Sequence, residues 1–153
     1  MKYLMVLLLI LGSVNPMILA EDVGLDLAKK VAQPEHQDKV HILYFSASYC
    51  SFCADLEENV LHAVRVNKDY QKQVFISEIS LDESTVITDF KGNTIDADEF
   101  IDRYDVSFTP TLIFVDNQGN EIAKRRKGYQ NVEFYWYYLD ISIANGLKAI
   151  QSQ

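Results

Sequence analysis

His41-Ile-Leu-Tyr-Phe-Ser-Ala-Ser-Tyr-Cys-Ser-Phe-Cys-Ala-Asp-Leu-Glu-Glu-Asn-Val60 is the stretch that decides how this chain folds. Val40 to Phe45 is a short apolar run, the pattern of a strand buried on both faces. Past the cysteines, Leu56, Val60, Ala63 and Val64 mark one face of a helix that reaches about Val66. Cys50 falls where the strand ends and the helix begins. A helix N-terminus carries unpaired N–H groups and a partial positive charge, so it stabilises a thiolate. Cys53 lies one turn on, within reach of the first sulfur once either is oxidised. These are the only two cysteines of the chain. The arrangement points to thiol–disulfide exchange.

Downstream, Gln73 to Leu81 alternates and is rich in Val, Phe and Ile, which predicts a second strand. Thr111 to Val115 and Glu121 to Arg126 read as two more, joined by the turn signal Asp116-Asn-Gln-Gly-Asn120 and closed by Gly128. From Asn131, the apolar positions Val132, Trp136, Leu139, Ile143 and Leu147 describe a final amphipathic helix. Thr85 to Asp105 is less regular. Val86 to Ile95 suggests a small hairpin or an extended excursion, and Asp96 to Tyr104 a short helix with Asp96 and Glu99 spaced as a capping pair. Upstream, Val23, Leu27 and Val31 suggest a first helix that ends near Pro34. The order is α-β-α-β-(insert, α)-β-β-α, an α/β chain.

Residues 1–20 read as a secretory signal peptide: Lys2, the unbroken apolar core Leu4 to Leu11, then Gly12, Asn15 and Pro16, with cleavage expected near Ala20. The run is short for a membrane span, which needs about 20 residues. Ile18 is larger than the usual residue before a cut, so an uncleaved anchor stays open. The remainder, 21–153, is long enough for one domain with a real core and too short for two. Losing Lys2 and no acid moves the net charge from −8 to −9. Such an acidic domain is a poor partner for nucleic acid or anionic lipid. Export places the cysteines where disulfides persist, and a single pair at minimal spacing is a poor staple for a secreted domain.

With Ser48-Tyr-Cys-Ser-Phe-Cys53, Val106-Ser-Phe-Thr-Pro-Thr-Leu-Ile-Phe-Val-Asp116, the Gly119 turn and Gly128, the chain resembles the thioredoxin superfamily from about Val40 to Ile143. It is similar to exported bacterial members, the SoxW-like proteins and the C-terminal domain of DsbD-type reductases. The resemblance implies a mixed central sheet flanked by helices, with a small insertion before the strand that follows Pro110. It implies that Cys50 attacks and Cys53 resolves, and that Pro110 is a cis proline after Thr109, packed beside the sulfurs. Thr109 would then pair with an extended substrate segment, a form of strand addition. Phe52 would offer that segment an apolar contact, or pack under the insertion. The expected function is a periplasmic oxidoreductase that reduces disulfides of client proteins and is recharged by a membrane thiol reductase. It works as a monomer, without cofactor or metal.

Two departures from the family matter. Many thioredoxins carry a buried acid on the strand before the cysteines, where this chain has Tyr44. Glu78, on the neighbouring strand, is the candidate to take over proton transfer; a solvated strand carboxylate is the plainer reading. Ser51-Phe52 replaces the usual Gly-Pro and lacks the histidine of strongly oxidising relatives, so a potential of roughly −270 to −180 mV is expected.

An oxidase or isomerase would use the same residues. A staple is the bland alternative, although so small a loop is worth only about 2 kcal/mol. Zinc would need further ligands, and His36, His41 and His62 lack the spacing for it. A Cu(I)-binding module is harder to set aside, because a cysteine pair with a histidine holds that ion. Lys124-Arg-Arg-Lys127 is a basic run that discourages aggregation on an edge strand, or else a docking patch. Phe134-Tyr-Trp-Tyr-Tyr138 is aromatic on every side of its helix. Some of these rings must face the sheet.

Overall fold

The architecture is that of a computed structural model, which describes residues 24–83 and 85–153. It is built on β2 (Val40–Ser46), whose seven residues are all buried. Such a strand needs a partner on each edge and cover on each face. Its edges are taken by β3 (Val74–Ser80), parallel, and β6 (Thr111–Val115), antiparallel. The next strand, β7 (Glu121–Lys127), pairs antiparallel with β6 and completes the order β3-β2-β6-β7. A parallel β2–β3 pair requires a crossover. Here it is α2 (Ser51–Leu56), which runs through a π-helical turn at Glu57–Leu61 into α3 (His62–Val66) and is followed by α4 (Lys68–Gln71).

Alternation along β2 divides the interior in two. Val40, Ile42 and Tyr44 pack with Leu56, Val60, Leu61 and Val64 of the crossover and with Leu139 and Ile143 of α6 (Val132–Gln151). Leu43 and Phe45 turn to the other face, where Leu27, Ile87, Phe100 and Ile101 cover them. That cover is the insertion together with the N-terminal segment. They form a second sheet in which β1 (Leu25–Asp26) pairs parallel with β4 (Val86–Thr88) and β4 pairs antiparallel with β5 (Thr94–Asp96), before α5 (Ala97–Arg103). Asp89 holds the hairpin turn, accepting from the N–H groups of Lys91 and Asn93 at 2.9 Å and pairing with Arg103 at 2.7 Å. Burial opposes its ionisation, but these donors outweigh burial and hold the carboxyl well below its usual range.

The α/β class, the mixed sheet and the hairpin-plus-helix insertion agree with the sequence reading. The first helix is shorter than its periodicity suggests. Leu25 and Asp26 pair with Ile87 and Thr88, so α1 is confined to Leu27–Val31, with Asp26 capping Lys29 at 2.8 Å. Val23 and the proposed leader, 1–20, lie outside the described residues. Asp96 takes the N-cap position of α5 but makes no capping bond, and Glu99 pairs with Arg103 instead. On α6 the expected Trp136, Leu139, Ile143 and Leu147 pack on the core, joined by Tyr135, Ser142 and Gly146, whereas Val132 is exposed. A Cβ on Gly146 would lie 2.8 Å from Val40, so the helix seats closely on the sheet there.

His41 is fully buried in β2, stacked on Phe75 and hydrogen-bonded through Nε2 to Ser77 Oγ at 2.9 Å. Burial, with Lys30 and His36 adding repulsion, lowers its pKa to about 3. The unfolded chain takes up this proton near pH 6.5 and the folded protein does not. Stability is therefore unaffected above pH 6.5 and falls as pH drops from there towards 3, by about 2 kcal/mol at pH 5. Denaturant titrations at pH 7 and pH 5 should show that loss in the native protein. In His41→Phe the difference between the two should shrink by most of that amount.

Candidate active site

The cysteines are delivered by the loop Ala47–Tyr49, which leaves the end of β2. Asp82, just past the end of β3, clamps that loop. Its carboxylate accepts from the Ser48 N–H at 3.0 and 3.2 Å, from the Ser48 hydroxyl, and from Ser80 Oγ at 2.6 Å. The Ser48 and Ser80 bonds lower the Asp82 pKa to about 2, so the clamp persists through the whole physiological range. Cys50 then takes the N-cap position of α2, and its Sγ accepts from the Cys53 N–H at 3.1 Å. Sulfur thus occupies the place that a serine or aspartate oxygen fills in most helices. The two cysteines form a disulfide across a Cα separation of 5.2 Å. Cys50 is half-buried, whereas Cys53 is only 4% exposed. Attack from outside can reach Cys50, and Cys53 waits behind it.

Thr111 pairs with Phe45, so the Thr109–Pro110 segment lies level with the end of β2, at the same end of the sheet as the cysteine loop. The Thr109–Pro110 peptide bond is cis. The Pro110 carbonyl accepts from the Gly128 N–H at 2.8 Å, which ties this segment to the end of β7. Phe52 is 55% exposed, and Tyr49 and Phe108 are exposed on neighbouring segments of the same end. Three exposed aromatic rings therefore lie at the end of the sheet that carries the cysteines.

Beneath the disulfide, the Tyr44 hydroxyl donates to the Cys53 carbonyl at 3.3 Å. Burial, reinforced by Glu78, pushes its pKa far above the ordinary value, so Tyr44 stays a neutral donor and cannot replace a carboxylate as base. Glu78 is the register partner of Tyr44 and shares its face of the sheet. The Glu78 side chain is exposed and accepts from Ser46 Oγ at 2.6 Å rather than bonding to a cysteine. Cys50, Cys53, Thr109, Pro110 and Phe52 thus share one end of the sheet, with Glu78 along its edge. Asp82, Tyr49 and Phe108 are additions that sequence reading misses. Asp82 acts on Ser48, far away along the chain, and no local pattern signals such a bond. The histidines take no part in the site, and no cluster of three or more His, Cys, Asp or Glu able to hold a metal occurs among the described residues.

Residues 25–141 match the family model described as a thioredoxin-like domain. Among solved structures, the periplasmic thioredoxin SoxS from Paracoccus pantotrophus is similar at 16% identity, covering 70% of this chain and 98% of its own, with a TM-score of 0.50. A Malassezia sympodialis thioredoxin is similar at 17% identity, covering 69% of this chain and 76% of its own, with a TM-score of 0.51. No curated protein matches the chain.

Asp82→Ala should unpin the Ser48 amide and slow disulfide exchange several-fold, since misplacing a reacting group is costly. Asp82→Asn, which keeps an acceptor for the Ser48 N–H, should recover much of the rate. Amide hydrogen exchange at Ser48 provides the check: a rate loss with unchanged protection there would assign Asp82 another role.

Proposed function

The chain belongs to the thioredoxin-like family and is a thiol–disulfide oxidoreductase, and from that premise we propose that it works outside the cytoplasm as a reductase of client proteins. One observation carries this reading: an accessible Cys50 sulfur capping its own helix, with a buried Cys53 one turn below. In the dithiol state the Cys53 N–H and the helix N-terminus favour the Cys50 thiolate. That thiolate attacks one sulfur of a client disulfide and expels the other as a thiol, leaving a mixed disulfide at Cys50. Cys53, once deprotonated, attacks Cys50 Sγ, releases the second client thiol and closes the intramolecular disulfide. Two electrons have passed to the client. A membrane thiol reductase returns them.

Thr109 and Pro110 hold an extended client strand beside Cys50, and Phe52 lines its path. Glu78, the register partner of Tyr44, accepts the Cys53 proton. The apolar run of residues 4–11 supports export, with cleavage near Ala20 and a periplasmic location. Among the described residues no helix is long and apolar enough to cross a membrane.

Cys50→Ser should abolish insulin reduction, and Cys53→Ser should accumulate client proteins linked through Cys50. Recovery of no cysteine-linked partner from the exported compartment would overturn the client-reductase assignment. Rapid alkylation of the reduced protein at neutral pH should label Cys50 well before Cys53. Glu78→Gln should displace the pH profile of the resolving step; an unmoved profile would remove Glu78 from proton transfer.

A further inference from the structure

One cleft is lined by none of Cys50, Cys53, Phe52, Thr109 and Pro110. It measures about 690 Å³ and runs between β7 and the first turns of α6. Its basic wall is the run Lys124–Lys127 at the outer edge of the four-stranded sheet. Arg125 is already engaged by Glu121 and by the Tyr104 carbonyl. The side chains of Lys124 and Lys127 have no hydrogen bond or ion pair among the described residues. Arg126 bonds only to neutral oxygens, those of Lys124 and Ser142, and lies 5.3 Å from the centre of the Tyr138 ring. Three cations without a carboxylate partner are thus gathered on a protein of net charge −8. Its carboxylates elsewhere could have neutralised them.

The opposite wall is aromatic. Phe134 is 67% exposed and Tyr138 is exposed beside it, so their apolar surface stays in water unless something covers it. Tyr135 also lines the cleft. It is 7% exposed, and its buried hydroxyl has no partner among the described residues, a donor that normally finds an acceptor. Lysine ammonium groups, a stacked guanidinium, aromatic surface and an unused phenol together suit a polypeptide segment carrying both carboxylates and apolar side chains.

The cleft adjoins the segment that carries the cis proline. Gly128 lines the cleft, and the Gly128 N–H is bonded to the Pro110 carbonyl. A segment leaving the Thr109–Pro110 strand position would pass Gly128 and enter between Lys127 and Phe134. We propose that this cleft is a specificity subsite that binds an acidic, apolar-bearing segment of the client next to the disulfide being reduced. The inference rests on the client-reductase reading and names its substrate class.

The test compares two cystine peptides identical except for the flanking segment, one rich in aspartate, glutamate and leucine, the other with asparagine and glutamine for the acids. A small organic disulfide, too short to reach the cleft, serves as control. The wild-type protein should reduce the acidic peptide about tenfold faster in kcat/KM, an advantage that salt erodes. In Lys124→Glu/Lys127→Glu it should vanish, while the small disulfide is reduced at the native rate, which also shows that the variant folds. Equal rates on the two peptides, or an acidic preference that survives the double substitution, would overturn the subsite. If wild-type protein fails on the small disulfide, it is the redox reading that fails. The subsite is then judged by fluorescence anisotropy with serine-for-cysteine peptides, where equal affinity for acidic and neutral forms overturns it. Preferential binding to anionic vesicles over the acidic peptide would likewise overturn it in favour of a membrane surface.

Discussion

Everything in this molecule depends on β2 being buried on both faces and paired on both edges. A one-residue slip of such a strand would swap the side chains packed on its two faces and force both cores to repack. Its register against β3 and β6 is therefore tightly held. Where it ends, the cysteine loop begins, and the first sulfur inherits that positional accuracy. Ser48 and Tyr49 of that loop are exposed. Its order comes from β2 behind it, the helix ahead of it and the Asp82 carboxylate at its side.

The site turns ordinary helix-capping physics into chemistry. A helix start must satisfy its leading N–H groups, and the usual answer is an oxygen. Here the acceptor is a redox-active sulfur, so the interaction that begins α2 also favours the charged state needed for attack. The neighbouring groups divide the remaining work. Tyr44 supplies a neutral donor below the disulfide, where ionisation would be costly. The exposed aromatic rings give a client apolar purchase without closing the approach to Cys50.

Patterns of short range were legible in the sequence. The apolar run of β2, the spacing of the cysteines, the Asp116–Asn120 turn and the glycine after β7 each speak through neighbouring residues. What could not be read there depends on distant partners. The pairing of β1 with β4 shortens the first helix because an alternative set of backbone bonds, far along the chain, wins over local periodicity. The close seating of α6 on the sheet likewise depends on Gly146 meeting Val40, a residue far earlier in the chain. The Asp82 clamp is of the same kind. Glu78 shows the opposite case: strand register places it beside Tyr44, as alternation suggests, while its hydrogen bond goes to Ser46.

The appended sheet has strands of only two and three residues. Ladders that brief do not persist alone in water. They exist because Ile87, Phe100 and Ile101 pack in one core with Leu43 and Phe45, and the appendage helps to keep those two side chains dry. Each half therefore stabilises the other, and separation would wet the underside of the very strand that aims the reactive sulfur. Melting of the hairpin and loss of redox competence should accordingly be one cooperative event.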